Sequence, residues 1–454
     1  MTLDHDLLHQ LLGDSLLPRD ERSEFLAALD RPPPGAIRWR DELVERDWRE
    51  SVSHIVSDEP IAWHPRGRFV APEARPSQTI AFAAGDYYIQ DAGSLLASRL
   101  LKAAEGEVIC DLCASPGGKS TAILEDIGDS GWLLANEAIR TRLPALEFNL
   151  ARHGSPRFAV SQLDPDSLAD RVGPIFDAVL VDAPCSGQTL VSRGKQSDAS
   201  WSMRQVEHSA ARQQRILTAA ARLVRPGGRL VYSTCTFAVE ENEARVEQFL
   251  AEHRGWSQFP CDELRRWQSP LLESAYRLWP HRDGCAGAFA ARLIRTTDES
   301  ESERTNTARR WSERARRRRQ IELPPGFDAW GVLENAEVRG DAQRCFAWPI
   351  GAPGEMIEAA CSGPEVAFRK GNTWFPSFAL ALRRDDAWSP NQTMSIDAPQ
   401  AAAYLRGESL PCDRRGWLVV EYAGHRLGWA KSDGRQAKNQ LPKPARLERI
   451  GEAG

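Results

Sequence analysis

At 454 residues the chain exceeds what one hydrophobic core organises, so about two to four domains are expected. Its composition, 42% hydrophobic and 27% charged, is that of a globular protein, and a net charge of -5 leaves any nucleic-acid contact to local basic clusters. Nine cysteines, odd in number and scattered, exclude a disulfide framework and point to a reducing cytosol, so a cytoplasmic location is expected.

The first stretch mixes acidic residues with leucines and reads as a helix, not a signal peptide. No run is long enough to span a bilayer, and no membrane partner is expected. Leu7, Leu8, Leu11 and Leu12 recur at helical spacing, as do Phe25, Leu26 and Leu29, before Pro32-Pro33-Pro34-Gly35 ends the second helix. Ala36 to Arg40 and Trp63-His64-Pro65 complete a small module over residues 1–83, expected to face the substrate.

Residues 84–296 alternate strands and helices. Strand-like runs are Val108–Asp111, Trp132–Asn136, Phe158–Val160, Phe176–Val181, Arg229–Tyr232 and Ala288–Leu293. Helical stretches are Arg140–Arg152, Val206–Leu223 and Val239–His253. Near-continuous apolar strands between helices predict an α/β fold with a doubly wound, mostly parallel sheet covered on both faces. Residues 297–320 form a linker in which acidic Asp298 to Glu303 precede Arg309-Arg310-Trp311 and Arg314 to Arg319. That linker reads either as solvated charge blocks or as an RNA strap offering Trp311 for stacking. Residues 321–395 and 396–454 read as two small β-rich units. In the second, Gly416–Tyr422 and Leu427–Lys431 form a hairpin about Ala423-Gly424, with Arg435, Lys438, Lys443 and Arg446 on one basic edge.

Three motifs fall at predicted strand ends, where ligands of open α/β sheets collect. The first is a glycine turn, Cys113-Ala114-Ser115-Pro116-Gly117-Gly118-Lys119, after a strand ending in Asp111. Adjacent glycines admit close approach of a ligand, and the next helix offers its first amides. Neither the dinucleotide fingerprint nor the P-loop spacing is present, so hydride transfer and nucleotide hydrolysis are unsupported. Cys110 and Cys113 make a C-x-x-C with no second pair at zinc spacing, and no metal is expected. Glu137 ends the next strand, where a carboxylate suits ribose hydroxyls, and Asp164 after the third could accept an adenine amino group. The second motif is Asp182-Ala183-Pro184-Cys185-Ser186-Gly187 and the third Ser233-Thr234-Cys235. Either cysteine alone reads as a small buried residue. Two thiols and a carboxylate on one rim suit covalent chemistry in which an adduct is formed and then dismantled.

Together with Tyr88 to Ser94, Arg225-Pro226-Gly227-Gly228, Glu240-Glu241-Asn242-Glu243 and Arg277 to His281, these blocks resemble the RNA 5-methylcytosine methyltransferases of the RsmB/RsmF type. The likeness is nearest to the RsmF-type members acting on small-subunit ribosomal RNA. Gly428 to Lys431 and Lys438-Asn439 are similar to that group's PUA-like tail. The resemblance implies a Rossmann-like class I methyltransferase fold, S-adenosyl-L-methionine as cofactor, an rRNA substrate and a monomeric enzyme. It implies Cys235 as the thiol that attacks cytosine carbon-6, Cys185 as the one that assists release, and Asp182 as the acid beside the base and the cofactor. Cys113, Ala114, Ser115, Pro116, Gly117, Gly118, Lys119, Glu137, Arg142 and Asp164 then match cofactor contacts, with Asp182. In DNA cytosine methyltransferases the Pro-Cys thiol attacks instead, so the division between the two thiols comes from the family. Transfer RNA as substrate, and a non-catalytic RNA-binding protein on a retired fold, are the alternatives. Departures from the family pattern are Ser115, Gln188-Thr189, Gly287 after Ala286, and Arg38-Trp39-Arg40.

Overall fold

A computed structural model describes residues 5–194, 196–297 and 321–450. The charged stretch carrying Trp311 and the arginine run lies outside the described residues. Two helices, His5–Leu16 and Arg22–Leu29, open the chain where the leucine spacing puts them. Strands β1 (Ala36–Trp39), β2 (Gly67–Phe69) and β3 (Tyr87–Gln90) then form an antiparallel sheet in the order β2-β1-β3. Its third strand follows residue 84, so the N-terminal module closes on the segment that leads into the central sheet.

That sheet has eight strands. β4 (Val108–Asp111), β5 (Trp132–Asn136), β6 (Phe158–Ser161), β7 (Phe176–Asp182) and β8 (Val224–Thr234) are parallel, ordered β8-β7-β4-β5-β6. The chain starts at β4, steps out to β6, then returns to β7 and β8. The order therefore reverses between β4 and β7, the crevice that doubly wound sheets use for ligands. On the β8 side, β9 (Trp256–Gln258), β10 (Ala275–Leu278) and β11 (Ala288–Arg295) add an antiparallel edge. Layers of buried Ile, Leu, Val and Ala cover both faces, as near-continuous apolar strands require. At the opposite edge, β6 is capped by the middle unit: Val160 N–H donates to Ser362 and the Val160 carbonyl accepts from Cys361 N–H at 2.8 Å. An exposed sheet edge is thereby paired.

The C-terminal region holds a four-stranded sheet and a five-stranded one. Its longest hairpin, Arg415–Tyr422 with His425–Asp433, turns through Ala423 and Gly424 with φ of 48° and 82°. Two positive φ values in a two-residue loop make a type I′ turn, whose twist matches that of the strands. The five-stranded sheet and the N-terminal sheet share one core, in which Ile37, Trp39 and Trp48 join Leu418, Val420 and Tyr404. A buried carboxylate sits at this junction. Asp86 receives Trp48 Nε1 at 2.8 Å and lies beside Arg40, Arg384 and His425 at 3.3, 3.1 and 2.7 Å. No helix among the described residues is long and apolar enough to cross a membrane.

Candidate active site

The three motifs converge where the strand order reverses. β4 ends at Asp111, and the glycine turn passes over its tip, with Leu112 N–H donating to Leu180 and Ala114 N–H to Asn136. Gly117 has φ of 111°, and a Cβ there would press on Asn149 and Leu146 at 3.3 Å. Only glycine takes this bend without strain. The next helix, Gly118–Ile127, has no side-chain cap, so its first amides face the crevice without a protein partner for the helix end. Ser115, at a position where the family prefers alanine, donates its hydroxyl to the Arg142 carbonyl at 3.0 Å, and Arg142 Nη2 returns a bond to the Ser115 carbonyl at 2.5 Å. Asn149 Nδ2 holds the Pro116 carbonyl at 2.8 Å. The turn is braced from three sides.

The third brace comes from the N-terminal module. Arg38 is fully buried on β1 and pairs with Glu125 at 2.7 Å. It also donates to the Gly118 carbonyl at 2.8 Å and to Thr121 at 2.9 Å. Leaving one member of such a buried pair unpartnered costs about 3–5 kcal/mol. The Arg38-Trp39-Arg40 departure from the family pattern thus has a structural task. Sequence reading missed it, because a buried arginine has no hydropathy signature.

Burial pushes the Asp111 carboxyl from an ordinary 3.8 up to about 7, only partly offset by the Ser120 hydroxyl at 2.6 Å. The folded protein therefore holds this proton more tightly than the unfolded chain. Stability attributable to the group declines as pH rises through the window from about 4 to about 7. Asp111→Asn cannot ionise, so thermal melts across that window should fall less steeply with pH than those of the wild type. Parallel slopes would contradict the assignment.

Glu137 is buried, accepts from Ile139 N–H at 2.9 Å and lies 3.1 Å from Arg142. The ion pair with Arg142 engages its second carboxylate oxygen, which accepts no hydrogen bond. Asp164 stands differently. It caps the helix Pro165–Val172 and forms a bidentate pair with Arg215 at 2.9 and 3.0 Å, which lowers its carboxyl below the usual range. Arg215 had no place in the sequence-based site.

At the tips of β7 and β8, Asp182 opposes Ser233 in register, and Ser233 Oγ donates to it at 2.8 Å. Lys119 Nζ reaches the other Asp182 oxygen at 2.6 Å. Burial pulls the Lys119 ammonium down, but Asp182, with Asp111 and Cys235 behind it, outweighs that and leaves it raised. Lys119, expected as a cofactor contact, is therefore also the counter-ion of Asp182. Cys185 and Cys235 are half-buried, with sulfur atoms 2.9 Å apart, and Cys235 N–H points at the Cys185 sulfur at 3.3 Å. The contact with Cys235, then burial, then the Glu241 charge push the Cys185 thiol well up.

A hydroxyl- and amide-rich clasp fixes the two loops. Gln188 Oε1 accepts from Phe237 and Ala238 N–H at 2.9 and 3.2 Å, and Thr189 Oγ1 donates to the Cys235 carbonyl at 3.1 Å. The Gln188-Thr189 departure thus ties one thiol loop to the other. Phe237, two residues past Cys235, stacks on Trp279 and Trp201 and meets Phe25 of the second N-terminal helix edge-on at 5.1 Å. Among the described residues no cluster of His, Cys, Asp and Glu could hold a metal ion.

Residues 98–294 match the model of the 16S rRNA methyltransferase RsmB/F family, residues 9–92 the N-terminal domain of 16S rRNA methyltransferase RsmF, and residues 391–447 the methyltransferase RsmF PUA domain. The chain is 33% identical over 442 residues to the ribosomal RNA small subunit methyltransferase F of Klebsiella pneumoniae (strain 342), with 92% of each covered. It is 28% identical over 455 residues to the like-named protein of Aeromonas hydrophila, again with 92% of each covered. The crystal structure of a methyltransferase homolog protein from Pyrococcus horikoshii, 24% identical, shares the fold with a TM-score of 0.55 over 64% of this chain and 93% of that one. A doubly wound sheet with its motifs at the reversal point, flanked by RsmF-type N-terminal and PUA domains, belongs to a member of the 16S rRNA methyltransferase RsmB/F family.

Proposed function

We propose that this chain transfers a methyl group from S-adenosyl-L-methionine to carbon-5 of cytosine in small-subunit ribosomal RNA, through a covalent bond between Cys235 and the base. The observation that carries this reading is the pair of thiols 2.9 Å apart beside the Asp182–Lys119 ion pair, at the crevice of a doubly wound sheet. Cytosine carbon-5 is too weak a nucleophile to take the methyl group unaided. Addition of the Cys235 thiolate to carbon-6 makes the ring enamine-like and raises electron density at carbon-5. The negative charge that develops on the ring would fall beside the Asp182–Lys119 pair, where the Lys119 ammonium supplies the electrostatic stabilisation. After transfer, the carbon-5 proton passes to a water molecule acting as base. Its bonding electrons then form the carbon-5 to carbon-6 double bond, and the Cys235 sulfur departs as thiolate. Cys185, whose sulfur lies 2.9 Å from that of Cys235, serves this release step.

The cofactor brings an electrophilic methyl group. The residues that would hold it fit its chemistry. The uncapped amides of the helix after Gly117 suit a carboxylate, and the buried Glu137 carboxylate after β5 suits a ribose diol. Ala114 to Gly118 would supply the close backbone approach, and Asp182, Arg142 and Asp164 are the further side chains proposed to hold it, the last two paired with Glu137 and Arg215. An RNA loop or single strand is the favoured target, because a base is reached there at little unstacking cost. The test is incubation of the protein and methyl donor with purified small subunits, deproteinised small-subunit RNA and transfer RNA, followed by bisulfite sequencing. A new protected cytosine in the small-subunit RNA is the expected result. Protection only in transfer RNA, or none at all, would refute the reading.

A further inference from the structure

Glu241 is fully buried, and among the described residues no cation pairs with it. One carboxylate oxygen accepts from Ser186 N–H at 2.9 Å and from Gln213 Nε2 at 2.8 Å; the other lies 3.4 Å from the Thr236 hydroxyl. Ser186 directly follows Cys185, and Thr236 directly follows Cys235, so one side chain spans both thiol loops. Ser186 and Thr236 are also joined to each other, hydroxyl to hydroxyl, at 2.8 Å. Gln213 extends the bridge to the Pro184 carbonyl at 3.2 Å.

Burial raises the Glu241 carboxyl, and four neutral donors hold it back only partly. A buried carboxylate satisfied by neutral donors alone is an expensive way to fix a loop. Glu243, two residues on, shows the cheaper solution in the same protein. It is paired with Arg277 through bonds of 2.7 and 2.5 Å, and its carboxyl is lowered as a result. The different treatment of two neighbouring buried glutamates argues that Glu241 has a task at the thiols.

We propose that Glu241 is a positioning residue for adduct release, whose carboxylate holds the Cys185 loop against the Cys235 loop at the spacing that release requires. The inference rests on the covalent reading given above. Glu241→Gln keeps the size of the side chain but removes its charge and, with the amide oxygen on Ser186 N–H and Gln213, turns a donor toward the Thr236 hydroxyl that donates to the carboxylate in the wild type. Both thiols remain, so Cys235 still bonds the base, while the link between the two thiol loops is loosened at Thr236.

The experiment compares wild type, Glu241→Gln and Thr236→Val on small-subunit RNA, reading steady-state methylation and the covalent protein–RNA species on denaturing gels. For Glu241→Gln, kcat should fall at least about tenfold with KM for RNA within about twofold, and the covalent species should accumulate. Thr236→Val retains the shape of its side chain and should show the same pattern more weakly, so it decides the matter if the first variant does not fold. Wild-type turnover without accumulation in the folded variants would overturn the proposal. Equal loss of adduct formation and turnover would overturn it too. If the wild type itself makes no 5-methylcytosine, the reaction assignment fails first, and the role of Glu241 falls with it.

Discussion

Cys235→Ala should reduce methylation of small-subunit RNA by at least about 10⁴-fold, the scale on which removing a covalent nucleophile acts. The loss should be in chemistry alone. Cys235 is half-buried, and its backbone is held by Thr189 at the carbonyl, a contact that alanine preserves. None of the residues fitted to the cofactor bonds to its side chain, so the affinity for S-adenosyl-L-methionine, measured by calorimetry, should stay within about twofold, since sites that share no bonded partner act nearly independently. Transfer of label from a radioactive methyl donor to RNA provides the rate. Residual turnover within tenfold of wild type would assign the attack to Cys185 instead.

The Cys185→Ala variant should show the opposite separation. Methyl transfer in a single turnover should proceed, because Cys235, Asp182 and Lys119 are all retained. Release should fail, so steady-state turnover should drop at least about 10³-fold. The protein should migrate on a denaturing gel as an RNA-bound species that ribonuclease trims. This follows from the release role proposed for Cys185, whose sulfur lies 2.9 Å from that of Cys235. A variant that turns over freely with no trapped species would exchange the two assignments.

Much of the central sheet was legible in the sequence because its strands are buried on both faces. Trp132–Asn136 and Val108–Asp111 are apolar runs bounded by turn residues, and they end where the pattern ends. β8 was read short. It begins at Val224, on the far side of Pro226-Gly227-Gly228, a triplet that ordinarily marks a turn. Strands β9 and β10 escaped for another reason. They are three and four residues long, and β10 carries Arg277 in the interior, where Glu243 neutralises it. Burial of matched charges looks like exposure in a hydropathy pattern. The same blindness hid Arg38 behind the glycine turn and Arg215 beside Asp164. The thiols and Asp182 could be read because strand ends in this fold are functional positions. Their clasp could not, because Gln188, Thr189 and Glu241 touch the thiol loops only through tertiary contacts.

Asp86 and Arg384 are 298 positions apart in the chain, yet they meet over a single carboxylate that also serves Trp48, Arg40 and His425. That carboxylate is a keystone between the two extremities of the polypeptide. Detaching either one strands a charge in the interior, a penalty of about 3–5 kcal/mol that couples their unfolding. The consequence is mechanical. A load taken up by the PUA domain passes through His425 and Asp86 to the N-terminal sheet, and from its Arg38 to the glycine bend.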